Sequence, residues 1–137
     1  MTFTFAEMIG DYAERTPDAI ALAFQGKRTS FGDFHDRGTR LAHVLKSFGV
    51  SAGDRVGFLG KNDPVFYEIA LACSLLDAVI VGLNWRLSPI ELADIASDAG
   101  LTLAIASPDQ AGLLRIETPT DGPLRIISTG AELNHLL

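Results

Sequence analysis

Apolar residues change their spacing several times along this chain. Phe34, Leu41, Leu45 and Phe48 recur at helical intervals, which predicts one helix from about Gly32 to Phe48 with a single apolar stripe. Before it, Ile20, Leu22 and Phe24 alternate with alanines, the two-residue period of a strand. Gln25-Gly26-Lys27 supplies a turn and Arg28 to Phe31 returns, which predicts a β-hairpin. An earlier helix is expected from Phe5 to Arg15, stopping before Pro17.

The second half alternates more regularly. Arg55 to Leu59 reads as a short strand, and Pro64 to Leu76, apolar on most faces, as a buried helix. Ala78 to Leu83 is a β-branched run without alternation, which predicts a strand covered on both faces. A helix from Pro89 to Ala99 ends at Gly100, and Leu101 to Ala106 is another covered strand. Then come a short helix from Pro108, a polar loop from Glu117 to Pro123, a strand from Leu124 to Ser128 and a helix start at Thr129. Strand and helix alternate from Asp54 onward, the signature of a parallel sheet with crossover helices. The expected fold class is therefore α/β: an N-terminal helix and β-hairpin, then βαβαβαβ with a mostly parallel sheet. Residues 1–137 form one α/β subdomain in this reading.

Helix starts are legible from side chains. Thr4-x-x-Glu7, Ser88-x-x-Glu91, Ser107-x-x-Gln110 and Thr129-x-x-Glu132 match the capping box, and Ser30-x-x-Asp33 is a looser version. Pro64, Pro89 and Pro108 stand where a first helical residue needs no N–H. Phe3 and Met8 are spaced to staple the first cap. Gly49 and Asp77 stand where helices end in a left-handed residue, glycine easily and aspartate under strain.

Composition narrows the class. Hydrophobic residues make up 47% of the chain and charged residues 20%, as in globular proteins. A net charge of −6 with scattered acids argues against a nucleic-acid partner, which needs a clustered basic face. The lone cysteine, Cys73, lies in an apolar run, reads as an inert buried residue and suits a reducing, cytoplasmic setting. Residues 1–10 lack the basic start of a signal peptide. Ile69 to Trp85 is interrupted by Asp77 and too short for a transmembrane segment.

Little catalytic machinery is visible. His35, His43 and His135 have no partner at a metal-ligand spacing, so no metal site is expected. There is no nucleophile elbow, phosphate-binding P-loop or dinucleotide fingerprint. Asn84-Trp85-Arg86 is the one candidate binding site. It directly follows a strand, and ligands gather at the carboxyl ends of strands in open α/β sheets. Arg86 can grip a phosphate or carboxylate and Trp85 can stack. A structural account is favoured over binding: Asn84 caps a turn, Trp85 fills a core gap and Arg86 pairs with an acid.

Several stretches together resemble acyl-CoA synthetases, the ATP-dependent acyl-adenylating ligases. They are Arg15 to Ala21, Arg28 to Phe31 with Leu41-Ala42, Leu45 and Gly49-Val50, Gly53-Asp54-Arg55-Val56 with Lys61-Asn62, and above all Ala78 to Leu92. Asn84-x-Arg86-Leu87 looks like the fatty-acyl and aryl-CoA branch. The sequence departs from the pattern at Phe31 (tyrosine is usual), Asp77 (glycine) and Gly82 (proline). The resemblance implies part of the large N-terminal domain of such a ligase, whose complete form joins a carboxylic acid to ATP with Mg²⁺ and passes the acyl group to coenzyme A. It also implies a Ser/Thr/Gly-rich phosphate loop, an adenine motif, a hinge aspartate and a catalytic lysine, and none of these is in the chain. No catalytic residue is therefore assigned, and tight binding of ATP, Mg²⁺ or coenzyme A to these 137 residues is not expected.

Three functions follow as expectations. The first is the N-terminal portion of an acyl-CoA ligase, inactive alone and ending before the phosphate loop. Its partner is the remainder of the ligase and its eventual substrate a fatty or aryl acid. The second is a stand-alone interaction module from a split or decayed ligase gene, which self-associates or binds a complementary polypeptide. The third is a small nucleotide- or ligand-binding α/β domain.

Overall fold

In the computed structural model, residues 3–114, 117–118 and 122–137 are described. Helix α1 (Phe5–Arg15) opens on the Thr4 capping box: Thr4 Oγ1 accepts from the Glu7 N–H at 3.1 Å, and Glu7 Oε2 accepts from the Thr4 N–H at 2.8 Å. Strands β1 (Ile20–Phe24) and β2 (Lys27–Ser30) form the antiparallel hairpin. Helix α2 (Phe31–Ser47) starts on Ser30, whose Oγ accepts from Asp33 N–H, and Gly49 follows it at φ +94°.

The main sheet is built from β3 (Arg55–Leu59), β4 (Val79–Leu83), β5 (Leu103–Ala106) and β8 (Arg125–Ser128), in the order β4-β3-β5-β8 and wholly parallel. Helix α3 (Val65–Leu75) joins β3 to β4, and α4 (Pro89–Ala99) joins β4 to β5. Between β5 and β8 lie a 3₁₀ turn at Ala111–Leu113 and a small antiparallel ribbon, β6 (Glu117–Thr118) with β7 (Gly122–Pro123). Helix α5 (Ala131–Leu136) follows β8.

The pleat sends alternate residues to two cores. On one face Val56, Phe58, Leu103, Ile105 and Ile127 pack on Leu41 and Leu45 of α2, Ile69 of α3 and Leu133 of α5. On the other, Leu59, Leu83, Ala104 and Ala106 pack on Leu92 and Ala96 of α4. Burying each such leucine or isoleucine stabilises the fold by roughly 1.5–3 kcal/mol. A third cluster joins Ile9, Phe34 and Leu71, with Leu22 of the hairpin packed beside it. Two close contacts lock α1 and α2 onto α3. Ser74 Oγ accepts from the Ala6 N–H at 2.9 Å across 68 residues of chain, and Gly38 lies directly against Leu71.

Some expectations change. β4 packs on both faces, Ile80 toward one core and Val81 and Leu83 toward the other, but with only β3 flanking it among the described residues it leaves Val79 and Gly82 exposed. Phe3 and Met8 form no buried staple and are 70% and 43% exposed. Ser107 caps no full helix; after three turn residues only the 3₁₀ turn forms, and Gln110 N–H donates to the Ser107 backbone carbonyl. The Thr129 box shifts back. Gly130 takes the N-cap position at φ +80°, so Glu132 Oε2 accepts from Ser128 N–H at 2.7 Å instead. Among the described residues, no helix is long and apolar enough to cross a membrane.

Candidate functional site

Parallel pairing brings four strand ends to one edge of the sheet. Loops at 60–64, 84–88, 107–110 and 129–130 emerge there side by side, tied by Ser107 N–H to Leu59 O at 2.9 Å and Thr129 N–H to Ala106 O at 2.8 Å. Each loop is stiffened locally. Asp63 Oδ1 accepts from Val65 N–H at 2.8 Å and starts α3. Asn84 Oδ1 accepts from Arg86 N–H at 3.0 Å, and Asn84 O from Leu87 N–H, which makes a turn. That turn feeds the Ser88 capping box of α4, whose hydrogen bonds to Glu91, from the Ser88 backbone first and its hydroxyl second, hold the Glu91 carboxyl below its usual range.

The three sequence candidates do stand at this edge. Asn84 serves the turn, Trp85 packs half-buried against the α4 core, and Arg86 is exposed. Arg86 makes no acid pair among the described residues. Its guanidinium lies over the Trp85 ring, 4.5 Å from the centroid, because the tight turn folds one neighbour onto the other. Lys61 completes the group, with Nζ 4.7 Å from the same ring. Sequence reading missed Lys61, which is separated from Trp85 in the chain and joins it only through the β3–β4 pairing. Its signal was its place just after a strand, where ligands collect.

Cavities lie beside this cationic face. A groove of about 510 Å³ is lined by Leu22 and Phe24 of the hairpin, Phe58, Lys61, Tyr67 and Gly82. A pocket of about 100 Å³ has Lys61, Asn62, Asp63, Ser107, Asp109 and Thr129 in its wall beside Phe58 and Val65. The Asp109 carboxyl is held below its usual range, chiefly by the Ser107 hydroxyl, with a smaller contribution from the Lys61 charge. Asn84, Trp85 and Arg86 line none of these spaces.

A third cleft of about 580 Å³ between the hairpin, α2, α3 and α5 contains Glu68. Glu68 is buried, accepts from Arg37 Nε at 3.0 Å, and leaves Oε2 without a partner among the described residues. Arg37 also donates to Asn134 Oδ1 at 3.1 Å, tying α2, α3 and α5. Cys73 is buried, and burial pushes its thiol up to about 12, so it is not a nucleophile at neutral pH.

The edge thus presents two cations, an aromatic ring and polar loops side by side. The family of AMP-binding enzymes matches residues 10–134, nearly the whole chain. The chain belongs to the AMP-binding enzyme family. It is 32% identical over 127 residues to the fatty acid–[acyl-carrier-protein] ligase ScoC of Streptomyces coeruleorubidus, a match covering 93% of this chain and 24% of that ligase. It is 37% identical over 99 residues to feruloyl-CoA synthase of an Amycolatopsis species, covering 72% of this chain and 20% of that enzyme. Its fold superposes on the N-terminal domain of FACL13 from Mycobacterium tuberculosis with a TM-score of 0.86 at 25% identity, over 98% of this chain and 36% of that domain. The family resemblance and the α/β fold read from the sequence are both borne out. The chain spans about a quarter or less of the length of these curated relatives.

Proposed function

We propose that this chain is the N-terminal portion of an acyl-CoA ligase, inactive by itself. The observation that carries the reading is the family match over residues 10–134 in a sequence that contains no Pro-Lys-Gly phosphate loop. In the complete ligase a carboxylic acid reacts with ATP and Mg²⁺ to an acyl-adenylate, and coenzyme A then takes the acyl group. The family relatives named for feruloyl-CoA and fatty acids support an aryl or fatty acid as substrate. A cytoplasmic setting fits these water-borne cofactors and the single, buried thiol.

Within that enzyme the Lys61–Trp85–Arg86 face receives phosphate oxygens of ATP or coenzyme A. Both cations are exposed, and a guanidinium and an ammonium are suited to phosphate. Among the described residues no group of three or more acidic, histidine or cysteine side chains is placed to hold a metal ion.

The test has two halves. The purified chain shows no ATP–pyrophosphate exchange with ferulate or palmitate; measurable exchange overturns the inactivity. A chimaera with this segment in place of the matched part of the Amycolatopsis feruloyl-CoA synthase forms the thioester, and Arg86→Ala in it raises the KM for ATP or coenzyme A. A folded but inert chimaera overturns the ligase reading. The rival reading, a free-standing nucleotide-binding domain, requires ATP, AMP or acyl-CoA to raise the melting temperature of the chain alone.

A further inference from the structure

We propose that the Thr129–Gly130 loop and α5 form a flap between two cavities, and that Arg37, aimed by Glu68, is its latch. Every group in this latch lies within residues 37–134, and its action is independent of the ligase reading.

The latch begins with a buried acid. Glu68 of α3 is 7% exposed and accepts from Arg37 Nε at 3.0 Å, while Oε2 has no partner among the described residues. A half-satisfied buried carboxylate costs free energy, and an apolar side chain of similar size would suit the core better. What the carboxylate supplies is direction. Held at Nε, the planar guanidinium turns Nη2 toward α5, where it donates to Asn134 Oδ1 at 3.1 Å, 97 residues along the chain. Arg37 is half-buried and spans from buried Glu68 to exposed Asn134.

The flap is joined to the sheet by a glycine. Gly130 has φ +80° and ψ −126°, a conformation that side chains with a Cβ rarely adopt. Its carbonyl accepts from Asn134 N–H at 2.9 Å. Asn134 thus holds Gly130 by its backbone and Arg37 by its side chain. Leu133 buries the apolar side of α5, and the Arg37 bond is the one side-chain tie from α5 to α2 among the described residues.

Just before the glycine, Thr129 stands in the walls of both the 100 Å³ pocket and the 580 Å³ cleft. The first contains Lys61 and Asp109, the second Arg37 and Glu68. Asp63 and Val65 are also shared between the two walls. Those two are fixed to each other by the 2.8 Å bond that starts α3, so the side free to move is the glycine-hinged one. Swinging α5 away from α2 joins the cavities and opens the Lys61 pocket from behind.

Amide exchange on the whole chain and its variants tests the latch. Asn134→Ala removes the outer bond at an exposed position and raises helix propensity, so a loosened α5 is not a propensity effect. The expected result is protection of the Thr129 and Asn134 amides falling by about threefold or more. Thr102 and Ser107 amides, bonded to Arg55 and Leu59 of β3, stay unchanged. Asn134→Asp keeps the acceptor and keeps the wild-type protection. Glu68→Gln keeps an acceptor oxygen without the charge and loosens the same two amides. Unchanged exchange in Asn134→Ala overturns the latch. Equal loss of protection at all four amides overturns it too, because the bond then supports the whole fold. Loosening by Asn134→Ala with none by Glu68→Gln overturns the aiming role of Glu68.

Discussion

Gly38 of α2 sits directly over Leu71 of α3: a Cβ placed on Gly38 would lie 2.7 Å from Leu71 Cγ. Leu71 has no room to give, because it is fully buried against Ile9 and Phe34. The two helices therefore approach as closely as they do only because position 38 has no side chain. Glycine costs an interior helix position about 1 kcal/mol relative to alanine, so close packing outweighs propensity here. Gly38→Val is expected to lower the unfolding free energy by about 1–3 kcal/mol, the usual cost of overpacking a filled core. Urea denaturation measures it, with Gly112→Ala, where a Cβ meets nothing, as the near-neutral control.

Asp77 is the second position where backbone and side chain disagree. Its φ is +55°, between α3 and β4, and its carbonyl accepts from Gly53 N–H at 2.9 Å. Left-handed backbone strains any residue with a Cβ, aspartate less than most. Asp77→Gly relieves that strain and is expected to raise stability by about 0.5–1 kcal/mol, read as a higher melting temperature in dilute solution. A fall instead means that the carboxylate makes a stabilising contact of its own.

Cys73 gives the chain a signature at high pH. Burial raises its thiol from the ordinary 9.0 to about 12. Between those values the unfolded chain has released the proton while the folded chain still holds it. Stability is therefore at its full value below pH 9, falls as pH rises through this window, and levels off above about 12. Cys73→Ala is expected to flatten the slope across that range, as seen in the urea midpoint against pH. Ellman's reagent at neutral pH should leave the native thiol untouched and react on unfolding.

What the sequence conveyed well was local. Thr4 and Ser88 cap as their spacing says, since a hydroxyl and a carboxylate three residues apart need nothing from the rest of the fold. Gly49 and Asp77 were legible for the same reason. Long-range relations were harder. An apolar β-branched run such as Val79 to Leu83 reads identically in a central strand and at an unpaired edge, because the difference lies in a neighbour's presence. The Ser107 and Thr129 boxes have the right letters. The first has only a 3₁₀ turn behind it, and at the second a glycine took the N-cap position. The site was half visible. Asn84, Trp85 and Arg86 announced themselves by following a strand, whereas Lys61 joins them only when β3 and β4 align.

The bond from Ala6 to Ser74 has a consequence for how the protein is made. A ribosome adds about 5–20 residues per second, so the 68 residues between these groups take roughly 3 to 14 s to appear. Through that interval α1 and the hairpin have no Leu71 or Ser74 to rest on, and their apolar residues wait in the open. The first third of the chain therefore waits for α3, and packs only once Leu71 and Ser74 have followed it from the ribosome.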